Sequence, residues 1–375
     1  MLVPRFSAEQ VTSWRLSKHH LDERAEKGQL TKVVEDVCGI QAQVLSGAAI
    51  GIWARVDGVS AADIADLIWK RRSLVKTWAM RGTLHLLSAT DLPIYVAALK
   101  TRLKNWEEWL AKNHKLFPGE MKQVVSEIRV ALNGRCLTRE QLADRIAKQS
   151  KTGAKFRQLM LSGWGVLLQP AAYDGSLCFG PSQGTNVTFV RPDQWLGGWE
   201  EPDSDDALRT LILRFAACYG PVTRQDFRHW WSKPDDKTLK GIESAFDELE
   251  QVEFEGRPCS LRKQDVDKVQ KALPVKTVRL LPSWDGYVMF YHPRELFVPN
   301  RFRSRIFDQI HGNKPVLLID GVAAGVWSKK KRAKRLEIQV EPFRLLSSIE
   351  KRSVREEADS LGEFLGLRSQ VQISS

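Results

Sequence analysis

Three times along the 375 residues, a set of short amphipathic helices is followed by two short strand-like segments, and this recurrence most restricts the possible folds. In the first set, Ser7 caps a segment carrying Val11, Trp14 and Leu16, and Leu30, Val33, Val34 and Val37 begin a second helix that runs on toward Gln41 through a break at Gly39. Ala48–Val56 reads as a buried helix, and Ser60 caps Ala61–Arg71. Leu74–Trp78 and Thr83–Leu87 have strand composition around a Met80-Arg81-Gly82 turn. After an amphipathic stretch, Leu92–Leu116, the pattern returns: Leu137-Thr138-Arg139-Glu140 opens Gln141–Gln149 in the manner of a capping box, and Ala154–Trp164 follows. Its strands are expected at Val166–Gln169 and Leu177–Gly180. The third set follows the acidic linker Glu200–Asp206, with helices at Ala207–Tyr219, from Val222, and at Asp236–Glu250, then strands at Val252–Phe254 and Cys259–Leu261. The phrases LTREQLADRI and VTRQDFRHWW place a Thr-capped helix at equivalent points of the last two sets. Helices closed by a two-stranded ribbon are the signature of a winged helix.

The expected fold is therefore α+β, with winged-helix units over residues 1–118, 119–199 and 200–275 and a small β-rich domain over 276–375. In that last domain Val278–Leu281 and Tyr287–Phe290 flank Pro282–Gly286, and Val316–Ile319 and Val322–Trp327 flank Asp320-Gly321, the best hairpin signal in the chain. Leu336–Val340 is a further strand and Ser348–Leu365 a closing helix.

A 43% hydrophobic content supports a proper core, while a net charge of +12 and a pI near 9.5 favour a polyanionic partner, nucleic acid first. No apolar run approaches the roughly 18 residues of a membrane span, and Met1–Phe6 lacks the apolar stretch of a secretory signal. The five cysteines are widely spaced and form no Cys-x-x-Cys pair, which reads as reduced thiols in a cytoplasmic protein. The histidines show no ligand spacing, and adjacent His19 and His20 would point apart on a helix, so no metal is expected.

Within the apolar segment Val37–Ile52 stand two glutamines, Gln41 and Gln43. An unpaired buried amide costs about 1–3 kcal/mol, so the pair is either a polar notch in a helix satisfied by a neighbouring loop or a device for orienting water or a base edge. Lys329, Lys330, Lys331, Arg332, Lys334 and Arg335 put six positive charges on one expected loop, and Arg301, Arg303 and Arg305 alternate near His292 and Arg294. Such runs are solvated faces or phosphate contacts, and the overall charge favours the second. Arg81 and His85 either reach a groove from the first wing or cap the turn and pack inward. Asp285 is an ordinary turn residue or, with Trp284 and Tyr287, part of a base-stacking pocket. No Gly-rich phosphate loop, Ser-His-Asp order or Cys-His pairing stands out.

The order CGIQAQVLSGAAIGIWAR, KTWAMRGTLHLLSATDL, LLPSWDGYVMFYHPRELFVP and VLLIDGVAAGVWS resembles the AlkZ family of DNA glycosylases over nearly the whole chain. The resemblance implies tandem winged helices with a β-rich domain around a basic DNA channel. It also implies excision of N7-alkylated purines and unhooking of interstrand crosslinks in double-stranded DNA, without cofactor. Gln41 and Gln43 fall on the family's Gln-x-Gln positions and would hold the attacking water. Trp284 departs from the phenylalanine more usual there. A monomer would suffice. The rival expectation is a non-catalytic winged-helix regulator, which has no need of amides in an apolar helix.

Overall fold

The structure is a computed structural model that describes residues 3–117, 119–149, 153–162, 165–232, 234–291, 293–308, 312–333 and 335–374. The expected positions Trp164, His292 and Lys334 lie outside them. Backbone contacts divide the chain into two compact units, one of Met1–Ala65, Leu213–Trp230 and Ala245–Ser375, the other of Asp66–Ile212 and Trp231–Ser244. The expected segment 1–118 is thus divided between the two units, and the expected segment 276–375 lies in the first.

In the first unit, Ser7 and Gln10 form a reciprocal capping box that starts the Ala8–Lys18 helix. Its apolar face, Val11 and Trp14, packs with Phe6, Val252, Phe254, Cys259, Leu261 and Val269. The Glu250–Phe254 and Arg257–Leu261 hairpin supplies half of that core, and Arg5–Phe6 adds to its edge in parallel. A five-stranded sheet follows, in the order Val278–Leu281, Val316–Ile319, Val322–Arg332, Arg335–Pro342 and Arg368–Ile373. The final strand, parallel to its neighbour, is absent from the expectation, which ended on a helix. That helix, Ser348–Phe364, is boxed by Ser347 and Glu350.

Two expectations in this unit are corrected. Gly286–Phe290 is a short helix and not a strand, because Asp285 accepts from the Tyr287 N–H and caps it. The basic run Lys329–Arg332 is not a loop: it continues a strand that pairs Lys329 with Ile338 and Arg332 with Arg335. Period-two alternation therefore sends Lys329 and Lys331 to one face and Lys330 and Arg332 to the other.

In the second unit, Leu74–Trp78 pairs antiparallel with Leu84–Ser88, and Thr138 and Gln141 form a capping box at the start of the Arg139–Gln149 helix. The expected amphipathic stretch divides into Leu92–Lys100 and Leu103–His114. Leu168–Tyr173 is a helix where strand and turn were expected, and the hairpin lies later, at Cys178–Gln183 and Asn186–Val190. The Trp78 indole packs against Phe179 and Phe189, with ring centroids 5.0 and 6.2 Å away.

His85 is also corrected. It is buried within the hairpin's second strand, at 2% exposure, and offers no surface for a groove. Its Nδ1 lies 3.0 Å from the Thr83 carbonyl and its Nε2 3.2 Å from Arg81, which sits in the left-handed region at φ 57°. Burial, with Arg81 alongside, pushes the ring down to about 3. Burial likewise holds His19 of the first unit well below the usual histidine range. A ring kept neutral when folded but protonated when unfolded loses its stability as pH falls through about 6.5. Chemical denaturation should therefore show a loss of about 2 kcal/mol per ring between pH 7 and pH 5. His85→Gln should remove one such increment from the slope.

No described helix is long and apolar enough to cross a membrane. The closing helix is fixed by charge: buried Glu357 accepts from Arg24 at 2.6 Å and from Arg279 at 3.1 Å. Removing the carboxylate strands two guanidinium groups, so Glu357→Ala should cost about 3 kcal/mol in denaturant unfolding.

Candidate active site

The glutamine stretch is not helical, contrary to expectation. The Leu30–Asp36 helix stops because Cys38 and Gly39 both take positive φ, 58° and 87°, and the Gly39 N–H closes back on the Val34 carbonyl at 2.9 Å. Ile40–Gln41 then runs extended, Gln43 lies in the connection, and the next helix is Leu45–Trp53. Ala42, between the glutamines, is buried, whereas Gln41 is half-buried and Gln43 exposed. The apolar neighbours of the pair anchor it to the core while the two amides stay accessible.

Both glutamines line one pocket of about 250 Å³. Val44 and the first turns of the Leu45–Trp53 helix, through Ser46, Gly47, Ala48 and Ile50, form the same wall. Pro282, Ser283, Trp284, Pro315, Trp327 and Lys329 form the rest. The volume is below the roughly 300–1,000 Å³ of sites that engulf a whole drug-sized ligand. Lys329 is the one ionisable side chain among these lining residues, and it is exposed. No carboxylate, imidazole or thiol is placed among them to act as a base.

Of the three residues expected at a base-stacking surface, only Trp284 lines this pocket. Its backbone sits at φ 67°, its N–H donates to Asn313 Oδ1 at 2.7 Å, and its six-membered ring lies against Gly312. A Cβ added at Gly312 would fall 1.9 Å from the indole, so glycine there is a requirement of close approach. Tyr287 is fully buried, with its hydroxyl donating to the Gly321 carbonyl at 3.1 Å, and presents no face for stacking.

Asp285 is likewise buried and serves structure. Arg55 grips it with two bonds of 2.8 and 2.7 Å and also donates to the Gly51 carbonyl at 2.8 Å. Both side chains are nearly inaccessible, at 2% and 3%. Burial alone would lower the Arg55 pKa, but the charge and hydrogen bonds of Asp285 outweigh it and hold it above its ordinary value. Arg55 extends from the end of the Leu45–Trp53 helix and Asp285 from the Pro282–Asp285 segment, so the pair ties together the two walls of the pocket. No local signal reveals this contact, because the partners are 230 residues apart.

The other expected DNA-binding residues occupy different surfaces. Arg301 and Arg303 are exposed on the turns Asn300–Phe302 and Arg303–Ile306, with the Arg301 guanidinium over Phe302. Arg305 is exposed, lies over Phe343 and approaches Glu341 at 4.0 Å. Lys330 and Lys331 are exposed on their strand, while Arg332 pairs with Glu337 at 3.3 Å. Arg81 belongs to the hairpin of the second unit.

Known proteins resemble this chain in sequence and overall fold. The profile of the family described as DNA glycosylase AlkZ-like matches residues 34–364. An interstrand DNA cross-link repair glycosylase of Streptomyces sahachiroi is 30% identical over 375 residues, covering 96% of each chain. The solved structure of Streptomyces sahachiroi DNA glycosylase AlkZ superposes with a TM-score of 0.89 at 29% identity, over 99% of this chain and 100% of that one. With the family profile spanning most of its length, this chain belongs to the AlkZ-like family of DNA glycosylases.

Proposed function

We propose that this enzyme hydrolyses the N-glycosidic bond of N7-alkylated purines in double-stranded DNA, interstrand crosslinks included, with the attacking water held by Gln41 and Gln43. The observation that carries the reading is the pairing of two non-titrating amides in a pocket whose lining otherwise holds one lysine and no base. The Streptomyces relative, described as a cross-link repair glycosylase, supports the substrate class.

Alkylation at N7 makes the purine a cationic leaving group. Cleavage of C1′–N9 returns the bonding pair to N9, and the base departs neutral without a general acid. The sugar is left as an oxocarbenium-like cation, which a well-oriented water can trap without a strong base. Two amide oxygens accepting from that water fix its position, and their dipoles favour the sugar's positive charge. The proton passes to solvent as the C1′–O bond forms. Undamaged purines offer no such leaving group, so selectivity follows from substrate chemistry.

The recurring order of helices and hairpin supports a reading as three winged-helix units, with the strand residues Lys329, Lys330 and Lys331 and the Arg301, Arg303 and Arg305 cluster meeting phosphates. Lys329 at the pocket edge favours a second reading, in which a Schiff base forms on the abasic sugar. We favour the phosphate role, since an exposed lysine lacks the desolvated setting that activates an amine.

Gln41→Ala and Gln43→Ala should each lower single-turnover release of N7-methylguanine from duplex DNA by about 10²-fold, read as alkali-labile breaks. Wild-type rates in both variants would remove the glutamines from the mechanism. No breakage by the wild-type protein on any alkylated duplex would favour a DNA-binding regulator. Substituting Lys329, Lys330 and Lys331 together by glutamine should weaken DNA binding and flatten the log–log salt slope by about 0.9 for each phosphate no longer neutralised. An unchanged slope would make that strand a solvated face. Borohydride should trap no protein–DNA adduct, and an adduct that disappears in Lys329→Gln would establish the lysine as a nucleophile.

A further inference from the structure

Adjoining the pocket is a second, smaller space of about 20 Å³, which shares Gln41, Gly47, Pro282, Ser283 and Trp284 with it and is otherwise lined by residues that include His19 and Arg55. A single water needs about 10–15 Å³ measured in this way, so the space admits one.

Two buried polar atoms belong to residues of its lining. His19 is fully buried and caged by Tyr219, Tyr287 and Tyr291, with ring centroids 5.1, 5.4 and 5.3 Å away. Its Nε2 lies 3.3 Å from Cys218 Sγ, while its Nδ1 has no hydrogen-bond partner among the described residues. Arg55 spends its two terminal nitrogens on Asp285 and Gly51, and its Nε is the second such orphan. Buried polar groups are bonded to protein or water as a rule, and two orphans on residues lining one water-sized space indicate a shared partner. Burial keeps the Cys218 thiol well above its usual range, so the contact at Nε2 is not a thiolate–imidazolium pair.

We propose that this space is a fixed water site held by His19 Nδ1 and the Arg55 Nε–H, and that His19 is a positioning residue, orienting the Gln41 carboxamide through that water. The inference rests on Gln41 holding the attacking water. A neutral imidazole offers one donor and one acceptor. With Nε2–H donating to Cys218 Sγ, Nδ1 accepts from the inner water, and that water accepts from Arg55 Nε–H and from the Gln41 amide N–H. Three bonds satisfy it, the usual number for a buried water. Gln41 Oε1 is then turned outward, to accept from the water that attacks the sugar.

The test uses two shortenings of the imidazole. His19→Asn carries a polar atom at the level of Nδ1, and His19→Gln one bond farther, at the level of Nε2. In single-turnover release of N7-methylguanine, His19→Asn should stay within about threefold of wild type while His19→Gln falls about 10²-fold, with DNA affinity unchanged in both. A purely structural histidine predicts equal losses, or a milder loss for His19→Gln, and either result overturns the proposal. Gln41→Ala is measured alongside. A wild-type rate there would overturn both the glutamine mechanism and this support for it, whereas an inactive Gln41→Ala with indistinguishable His19 variants overturns the inner water alone. Should neither His19 variant fold, a high-resolution density map of the wild-type protein decides. A peak within hydrogen-bond reach of both Nδ1 and Nε supports the site, and an empty space overturns it.

Discussion

The candidate active-site pocket depends on a buried ion pair. Arg55 and Asp285 have left water almost completely, and separating them would leave an uncompensated charge in the core. Their bidentate geometry also sets direction, because a planar guanidinium meets a carboxylate in one orientation. One partner fixes the C-terminal end of the Leu45–Trp53 helix and the other caps the Gly286–Phe290 helix. The helix that follows Gln43 and the segment that carries Trp284 are thereby held in register. A well-packed apolar pair of similar volume could be at least as stable, so the charge is better understood as a device for specifying one arrangement.

That arrangement suits a mechanism that asks little of side-chain titration. A site with a base must keep that base in its active ionisation state, whereas carboxamides present the same acceptors at any physiological pH. In the proposed mechanism, what remains for the protein is geometry: a water held in place and positive charge along the DNA. The same economy narrows the substrate range, since amides cannot compensate for a poor leaving group.

Local chemistry is the legible part of the sequence. The caps at Ser7 and Thr138, the Asp320-Gly321 hairpin and the Leu74–Trp78 strand all follow from signals within a few residues. Expectation and structure part where composition is overruled, by a local cap or backbone break or by a distant partner. Gly286–Phe290 has strand composition but folds as a helix under the Asp285 cap, and the apolar run around Gln41 reads as helix although Cys38 and Gly39 break it with positive φ. The Arg368–Ile373 strand lacks long apolar alternation and is stabilised by its parallel neighbour. At the site, Gln41, Gln43 and Trp284 are visible as residue types at suggestive positions. Arg55 and His19 are not, because a buried arginine or histidine is recognisable only once its distant partners are known.

The contact of Trp284 with Gly312 carries a consequence for how such a site drifts over generations. The indole occupies the volume that any side chain at 312 would need, so the two positions cannot vary independently. A phenylalanine at 284 would vacate part of that volume and leave only the positive φ of residue 312, 83°, favouring glycine there, whereas a tryptophan makes glycine obligatory. Lineages should therefore exchange the two as a linked pair, and chimeras that mix the wall of one homologue with the 312 loop of another would be incompatible in one direction only.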